Sequence, residues 1–474
     1  MTQIAPVQKL ETYSEPVQKW RNRNLYYYKD LEKFYCSVVQ PKTDVLEVGI
    51  GLGELLNAVE PKHGLGIDRS EQTVDNSRTN FPDLEFAVED IEEFAPNQSF
   101  DYILLANTIS YIGDIQKALR NIHKACTPST RVVLTYHNPA WEIILRLATL
   151  LKQRMPFLSL NWLSYQDIEN LLSLNGFEVV YRGKRMLFPK RIPLVSWFFN
   201  SFLAHLPGFN SLCLTEYAIA RIRPSEDEKQ KRIDQMTCSV IVPARNESKN
   251  IEGCVTRLPK MGKHTEIIFI EGHSKDDTWS EIQRVQAEYG DRWDIKIAQQ
   301  SGKGKGDAVR QGFDMATGDV LIILDSDLTV KPEELIYFYE AVASGFCEFA
   351  NGCRLIYPVN KEAMPWLNQM ANRFFAWFLS YLLSTKIKDS LCGTKALTKE
   401  NYQKIADNRS YFGDFDPFGD FDLLFGAAKL GLHIKDIPVR YVPRTYGSSN
   451  IQHVKEGLTL FKMCMYAAKK IKFI

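Results

Sequence analysis

Residues 318–327 read Gly-Asp-Val-Leu-Ile-Ile-Leu-Asp-Ser-Asp, an apolar run that ends in two aspartates, Asp325 and Asp327. The run is typical of a buried strand. In open α/β folds, ligands bind beyond the carboxyl ends of parallel strands, and Mg²⁺ combines protein carboxylates with substrate phosphates. The stretch therefore predicts a sheet edge that holds a divalent metal and a nucleotide diphosphate. The alternative is a solvated Asp-Ser-Asp turn before the helix that is predicted near Pro332.

Short apolar runs alternate with helical patterns on both sides of this stretch, which predicts an α/β protein with parallel sheets and helical crossovers. The predicted strands are 45–48, 64–67, 84–88, 102–106, 131–136, 178–182, 217–222, 238–242, 266–270, 294–297 and 320–324. Residues 224–236 between the two series are charged and poor in apolar residues, which is typical of a linker. We therefore predict four parts: an N-terminal extension over residues 1–24, a domain over 25–223, a linker over 224–236 and a domain over 237–474.

Composition agrees with a folded two-domain protein. A chain of 474 residues is longer than a domain with a single hydrophobic core usually is. Its content of 45% hydrophobic and 24% charged residues is typical of globular proteins. A net charge of +1 gives no reason to expect a nucleic-acid partner. Nine cysteines without a Cys-x-x-Cys pair indicate neither a disulfide framework nor a zinc site.

Two features concern location. The first sixteen residues are polar and acidic where a signal peptide needs an apolar stretch, which predicts a cytoplasmic protein. No run reaches the roughly 20 apolar residues that span a bilayer. The aromatic-rich segments 192–206 and 374–383 are interpreted either as buried core helices or as helices in a membrane surface. The second interpretation would make the protein peripheral at the inner face of a membrane.

Glycines follow the first predicted strand, where residues 49–53 read Gly-Ile-Gly-Leu-Gly before a helical pattern. Glycines at this spacing let the backbone turn tightly and approach a ligand. The second strand ends at Asp68, where a carboxylate can accept both ribose hydroxyls, and Asp90 follows the third strand. A nicotinamide dehydrogenase is disfavoured because Glu54 breaks the Gly-x-Gly-x-x-Gly spacing.

Residues 40–222 resemble the class I S-adenosylmethionine-dependent methyltransferases, which implies a Rossmann-like fold. The resemblance implies that the glycine loop passes the methionine part, that Asp68 holds the ribose and that Asp90 meets the adenine. The cofactor-binding residues implied are Glu47, Gly49, Gly51, Gly53, Asp68 and Asp90. For an acceptor that needs a base, His137 and Asn107 are candidates, and a surface-loop histidine is the alternative interpretation of His137. The turn Cys-Thr-Pro-Ser-Thr over 126–130 departs from the Pro-Gly-Gly common in the family.

The second series carries polar residues at its strand ends. Asn246 and Glu247 follow a strand that ends at Pro243, and Glu271 follows the next strand. Residues 302–306 read Gly-Lys-Gly-Lys-Gly before a helix, a basic loop suited to phosphate oxygens. The loop lacks the Walker spacing, which disfavours a nucleoside triphosphatase.

Residues 237–446 resemble family 2 glycosyltransferases with the GT-A fold. The resemblance implies that Asp325 and Asp327 hold Mg²⁺ or Mn²⁺ with the donor diphosphate. The nucleotide-sugar-binding residues implied are Pro243, Asn246, Glu247, Glu271, Lys303, Lys305 and Asp325. Glu271-Gly272 departs from the Asp-Asp that is more usual in the family.

Segments 389–395, 418–422 and 438–449 resemble the polyprenyl-phosphate sugar transferase branch, in which a lipid phosphate attacks the sugar. Lys395, Arg440 and Arg444 are then candidates to bind the acceptor phosphate, although surface salt bridges explain the two arginines equally well. For a hydroxyl acceptor, Asp420 and Asp422 are the candidate catalytic bases.

The combined hypothesis is a bifunctional transferase. It moves a sugar with inversion from a nucleotide-diphosphate sugar to a lipid-phosphate or glycan acceptor and moves a methyl group from S-adenosylmethionine. One alternative makes the methyltransferase-like domain a non-catalytic binding or scaffolding module. The other alternative is a sugar nucleotidyltransferase, which also uses paired carboxylates.

Overall fold

A computed structural model describes residues 17–155, 161–206, 208–357, 366–408, 419–444, 446, 461–462 and 464–465. The chain divides into two compact units, one up to Arg223 and one from Pro224. Each unit contains a seven-stranded mixed sheet with helices. The prediction of an α/β protein with two sheets is therefore confirmed, but the prediction that the sheets are parallel is corrected, because each sheet includes a strand antiparallel to its neighbours.

The first sheet has the strand order β3-β2-β1-β4-β5-β7-β6, in which β7 runs antiparallel to both neighbours. Its strands are β1 (Asp44–Val48), β2 (His63–Asp68), β3 (Glu85–Val88), β4 (Phe100–Ala106), β5 (Cys126–His137), β6 (Phe177–Arg185) and β7 (Thr215–Ile222). The helices are α1 (Val17–Arg23), α2 (Leu25–Val38), α3 (Glu54–Ala58), α4 (Glu71–Asn80), α5 (Ile115–Lys124), α6 (Glu142–Leu150), α7 (Tyr165–Leu174) and α8 (Val195–Ser201). The strand order reverses between β1 and β4, and ligands bind at such switch points.

The second sheet has the order β10-β9-β8-β11-β13-β12-β14, with β13 antiparallel to β11 and β12. Its strands are β8 (Cys238–Ala244), β9 (Thr265–Glu271), β10 (Asp294–Gln299), β11 (Val320–Ile323), β12 (Phe349–Cys353), β13 (Lys395–Thr398) and β14 (Ile434–Pro438). The helices are α9 (Glu226–Gln235), α10 (Ile251–Thr256), α11 (Thr278–Tyr289), α12 (Lys305–Met315), α13 (Leu335–Ala343), α14 (Trp366–Leu383), α15 (Lys399–Asp407) and α16 (Asp420–Lys429). Its switch point lies between β8 and β11.

All eleven predicted strands overlap an observed strand, from β1 to β11. The sequence did not predict β12, β13 and β14. The segment predicted as a linker contains helix α9, which begins with a capping box between Ser225 and Glu228. The hydroxyl of Tyr339 in α13 donates to the carbonyls of Ile233 and Met236 at the end of α9. This helix therefore belongs to the second unit.

The described part of the predicted N-terminal extension also has structure, because helix α1 lies within it; residues 1–16 are outside the described residues. Of the two aromatic-rich segments, α14 buries Leu379 and Leu382 in the core and exposes Phe374 and Trp377. The interpretation of 192–206 as a buried core helix is wrong, because most large side chains of α8 reach solvent. Among the described residues, no helix has the length and apolar character needed to cross a membrane.

Candidate functional site

The glycine loop after β1 adopts a backbone that favours glycine. Gly49, Gly51 and Gly53 have φ angles of 77°, 56° and 73°, which side-chain-bearing residues rarely adopt. A Cβ atom at Gly49 would lie 2.6 Å from the hydroxyl of Thr108, whereas a Cβ at Gly51 would meet nothing within 4 Å. The loop therefore packs closely on one side and leaves open space beside Gly51.

Three acids predicted to bind the cofactor follow β1, β2 and β3 or lie in them. Glu47 is buried, and this burial raises the pKa of its carboxyl to about 8. Burial also raises the pKa of Asp68, whose Oδ1 accepts a hydrogen bond from the Ser70 amide (2.9 Å). Asp90 is less buried, and its Oδ2 accepts from Arg69 Nε at 3.0 Å. The strand ends thus place three carboxyl groups, which differ in how deeply they are buried, along one edge of the sheet.

Three polar atoms at this edge are buried without a hydrogen-bond partner among the described residues: Glu47 Oε2, Asn107 Oδ1 and His137 Nδ1. They belong to the ends of β1, β4 and β5, which are neighbours in the sheet. Buried polar atoms are rarely left unpaired, so the site fits a polar ligand such as the cationic cofactor that the resemblance implies. Burial lowers the pKa of His137 to about 3, and the interpretation of it as a surface-loop residue is wrong.

The N-terminal helices contribute side chains that the sequence analysis missed. Asn107 donates to the hydroxyl of Tyr27 in α2 (3.0 Å), and the Tyr35 hydroxyl lies 3.2 Å from Thr135 Oγ1. Arg21 of α1 forms an ion pair with Glu54 at the start of α3. The aromatic run Tyr-Tyr-Tyr at 26–28 is the only sequence signal for this contact.

The raised pKa of Glu47 predicts a pH dependence. The stabilising contribution of the protonated carboxyl is fully present below its ordinary pKa and is lost as pH rises through about 8. We expect the melting temperature of the ligand-free chain to fall over this window, and to fall less in Glu47→Gln. Glu71→Gln, which changes an exposed acid of α4, should keep the wild-type profile. Identical profiles for Glu47→Gln and wild type would contradict the buried, protonated carboxyl.

In the second unit, the turn after β8 is fixed against the loop after β9. Asn246 has φ 57°, its amide donates to Ser274 Oγ (3.0 Å), and its side-chain oxygen accepts from the Lys275 amide (2.7 Å). Glu271 Oε1 accepts from the Ser274 amide at 2.5 Å. Asn246 and Glu271 are therefore brought together by one polar loop.

The Asp-Ser-Asp turn lies beside the turn that carries Glu247. Ser326 Oγ donates to the carbonyl of Pro243 (2.9 Å), which ties the turn to the end of β8. Arg444 donates to Asp327 Oδ2 (2.5 Å) and to Glu247 Oε1 (3.4 Å). Burial raises the pKa of Glu247 to about 6, and the charge of Arg444 opposes this rise. The guanidinium therefore joins two acids from the β8 and β11 ends.

The basic glycine loop meets Asp325 on the other side of the turn. Lys305 Nζ lies 2.5 Å from Asp325 Oδ1, at the start of α12. The backbone at Gly393 approaches this ion pair so closely that an added Cβ would overlap both side chains. Lys303 of the same loop is exposed. This edge of the sheet therefore carries two carboxylates, each paired with a cation: Asp325 with Lys305 and Asp327 with Arg444.

The aspartate pair fits a metal held partly by substrate. Among the described residues, no group of three or more His, Cys, Asp or Glu side chains forms a complete metal site. Mg²⁺ is usually held by one or two carboxylates together with substrate phosphates and waters. Asp325 and Asp327 supply the two carboxylates, so the residues present fit this mode.

The remaining predicted residues lie in different places. Arg440 is exposed, and Glu334 accepts hydrogen bonds from its amide (2.9 Å) and its guanidinium (3.5 Å). Lys395 is fully buried in β13, where its Nζ donates to Asn351 Oδ1 and to the Cys392 carbonyl. The Lys395 ammonium is therefore held by buried protein acceptors, and its role in binding an acceptor phosphate stays a prediction.

The two candidate bases lie at the start of α16. A Cβ at Gly419 would come 2.7 Å from Gly306 Cα, so this helix begins beside the basic loop. The side chain of Asp420 is outside the described residues, and Asp422 is partly buried.

Each unit matches the sequence model of a known protein family. Residues 17–182 match the sequence model of a methyltransferase domain, and residues 239–405 match that of glycosyl transferase family 2. A dolichol-phosphate mannosyltransferase of Pyrococcus furiosus is 26% identical over 245 residues, which are 50% of this chain and 64% of that protein. A polyprenol monophosphomannose synthase of Mycolicibacterium smegmatis is 25% identical over 52% of this chain and 91% of that protein. The chain thus spans less than two thirds of the Pyrococcus relative.

Solved structures give low similarity scores. A putative methyltransferase bound to the Trm112 activator of Haloferax volcanii is 17% identical, with a TM-score of 0.34 over 44% of this chain and 93% of that chain. Glucosyl-3-phosphoglycerate synthase of Mycobacterium tuberculosis is 17% identical, with a TM-score of 0.37 over 52% of this chain and 85% of that chain. The family matches and the two sheets described above lead to one conclusion: the chain contains a methyltransferase domain followed by a glycosyl transferase family 2 domain.

Proposed function

We propose that the second unit transfers a sugar, with inversion, from a nucleotide-diphosphate sugar to a polyprenyl-phosphate or glycan acceptor. The observation that carries this proposal is the convergence of Asp325, Asp327, Glu247 and Lys305 at the switch point between β8 and β11. The names of the relatives, which include a dolichol-phosphate mannosyltransferase, favour the lipid phosphate. Such an acceptor would be met at the cytoplasmic face of a membrane.

Charge explains how these residues would act on the donor. Asp325 and Asp327 would hold a Mg²⁺ or Mn²⁺ ion, whose charge would offset the charge that develops on the leaving nucleoside diphosphate. Lys305 begins α12, so its ammonium and the helix N-terminus both favour phosphate oxygens. Arg444 pairs with Asp327 and Glu247 in the donor-free protein, and its guanidinium would turn toward phosphate once the metal takes its place beside Asp327.

The nature of the acceptor decides whether a base is needed. A phosphate acceptor is already anionic, whereas a hydroxyl acceptor requires a base with a suitable pKa. Asp420 and Asp422 are the proposed bases for the second case, since α16 begins next to the basic loop.

A donor screen tests this proposal. The full chain is incubated with Mn²⁺ and each of a set of nucleotide sugars, with and without a short-chain polyprenyl phosphate or a glycan, and nucleoside diphosphate release is measured. We expect release from one donor to be accelerated by one acceptor. Consumption of nucleoside triphosphate with a sugar phosphate, and no release from any donor, would favour a sugar nucleotidyltransferase instead.

We further propose that the first unit binds S-adenosylmethionine and transfers its methyl group. The unpartnered atoms of Glu47, Asn107 and His137 at one sheet edge support a polar ligand there. The cofactor brings an activated methyl group, so the chain has to hold and orient the two reactants. Glu47 and the glycine loop would hold the methionine part, Asp68 the ribose and Asp90 the adenine.

Asp68→Ala is expected to weaken S-adenosylmethionine binding by about 1–3 kcal/mol, or roughly five- to 150-fold, because the ribose would lose a buried partner. Isothermal titration of the full chain measures this. Asp83→Ala, an exposed acid near the end of α4, is the control and should bind like wild type. An unchanged affinity would remove Asp68 from the site, and no binding by the wild type would leave this unit a scaffold.

A further inference from the structure

The first unit exposes an apolar surface, here called the α6–α8 surface, that consists of residues 143–152, 191–206 and 208–212. Six of its large side chains show how open it is: the exposed fractions are 73% for Ile143, 78% for Leu150, 71% for Leu151, 82% for Leu194, 64% for Trp197 and 48% for Phe202. Monomeric soluble proteins rarely leave a contiguous patch of this kind, and such patches mark interaction sites.

Hydrogen bonds hold the two segments together as one surface. Trp141, just before α6, donates its indole N–H to the carbonyl of Leu212 (2.7 Å). Asn138 donates to the carbonyls of Ser211 and Cys213, at 2.9 Å each. The start of α6 therefore lies next to the segment that precedes β7.

The charged residues of this surface are basic, because its two segments contain no aspartate or glutamate. They are Arg146, Lys152 and Arg191, and all three are exposed. Glu142, the first residue of α6, lies at the border of the surface and pairs with Arg146. Tryptophan, phenylalanine and leucine combined with lysine and arginine are typical of surfaces that lie in the membrane interface. Anionic headgroups attract such basic residues.

The α6–α8 surface also borders the candidate methyl-transfer site. Arg23, which ends α1, donates to the carbonyl of Lys152 (2.5 Å), and Asn24 donates to that of Gln153 (3.1 Å). Lys190 donates to the side chain of Asn24 at 3.0 Å. The helix that follows, α2, carries the Tyr27 hydroxyl that accepts from Asn107. A ligand bound on this surface would thus lie close to the edge where β4 and β5 end.

We propose that the α6–α8 surface docks the methyltransferase unit on an anionic phospholipid bilayer. The apolar side chains enter the boundary between headgroups and acyl chains, while Lys152 and Arg191 face lipid phosphates. The cofactor edge is then presented to molecules anchored in the membrane, which makes the methyl acceptor an amphiphile with its polar part at the headgroup level. This docking is additional to any membrane contact that a lipid-phosphate acceptor brings to the second unit.

Vesicle flotation of the full chain tests the proposal, without nucleotide sugar or S-adenosylmethionine. We expect binding to phosphatidylcholine–phosphatidylglycerol vesicles and a loss of about tenfold or more in Leu150→Glu/Leu194→Glu. Lys152→Glu/Arg191→Glu should lose a similar amount on anionic vesicles, and added salt should weaken the binding of the wild type. The matched controls are Leu174→Glu and Lys117→Glu/Arg120→Glu, which change exposed residues of α7 and α5 and should bind like wild type.

Two results would overturn the proposal. One is equal flotation of Leu150→Glu/Leu194→Glu and wild type, or no flotation of either. The other is that the wild type forms a concentration-dependent dimer and does not bind vesicles, while Leu150→Glu/Leu194→Glu is monomeric. A second copy of the chain would then cover the surface. Since the assay contains no donor or cofactor, its failure is distinguishable from failure of either transfer activity.

Discussion

Asp327→Asn is expected to lower metal-dependent glycosyl transfer by about 100- to 1000-fold, the usual loss when one electrostatic contact to a developing charge is removed. The carboxylate lies where the end of β11 meets the Glu247 turn, and Arg444 already pairs with it at 2.5 Å. Asparagine keeps the shape and can still accept from the Thr329 amide, which lies 3.1 Å from Asp327 Oδ1. The change therefore removes the charge while leaving the turn its hydrogen bond.

Initial rates at varied Mn²⁺ concentration measure this effect, with the donor that the screen identifies. Asp291→Asn is the matched control, because it removes an exposed aspartate of the same unit in the turn before β10. It should keep the wild-type rate and Mn²⁺ dependence. Full turnover by Asp327→Asn, with an unaltered melting temperature, would refute the role given to this carboxylate.

Asp389→Ala is expected to destabilise the second unit by about 3–5 kcal/mol, because it leaves the buried charge of Arg354 without its partner. Arg354 donates two hydrogen bonds to the carboxylate, at 2.8 and 2.9 Å, and Asn372 of α14 donates a third at 2.7 Å. Burial opposes ionisation of Asp389, but these contacts outweigh it and lower its pKa to about 2. The stabilisation is therefore present above the ordinary pKa and is lost only as pH falls through about 2.

Chemical denaturation of the full chain, read as the change in unfolding free energy, checks this value. Glu333→Ala provides a control of the same geometry, since Arg257 also donates two hydrogen bonds to Glu333, both at 2.9 Å, but the pair is exposed. Exposed ion pairs contribute about 0–1 kcal/mol. Equal losses in the two variants would show that burial of the Arg354–Asp389 pair does not set its energy.

Much of the fold was predictable because local patterns agree with the tertiary structure. Apolar runs such as Val-Leu-Ile-Ile in β11 are buried on both faces of the sheet, and the carboxyl ends of its parallel strands meet at one edge. The strands that were missed lack this signal. β12 reads Phe-Ala-Asn-Gly-Cys and β13 reads Lys-Ala-Leu-Thr. They form through pairing with distant strands, which no short window of sequence encodes.

Part of the candidate site was likewise predictable from the sequence, and part of it was not. Glu247, Asp325 and Asp327 follow predicted strands directly, so the sheet order places them together. The bond from Arg444 to Asp327 joins residues 117 positions apart and could not be read from local sequence. Lys395 was predicted at the site because of its motif, yet its strand turns the side chain into a buried network with Asn351.

Binding of nucleoside diphosphates to the full chain, by isothermal titration with UDP and GDP, is the most direct measurement of whether the β8–β11 edge holds a donor through a metal. We predict that one of the two binds in the presence of Mn²⁺, and that a chelator or the Asp325→Asn/Asp327→Asn variant abolishes the binding. Equal affinity with and without metal, or undiminished affinity in the double variant, would contradict the central claim.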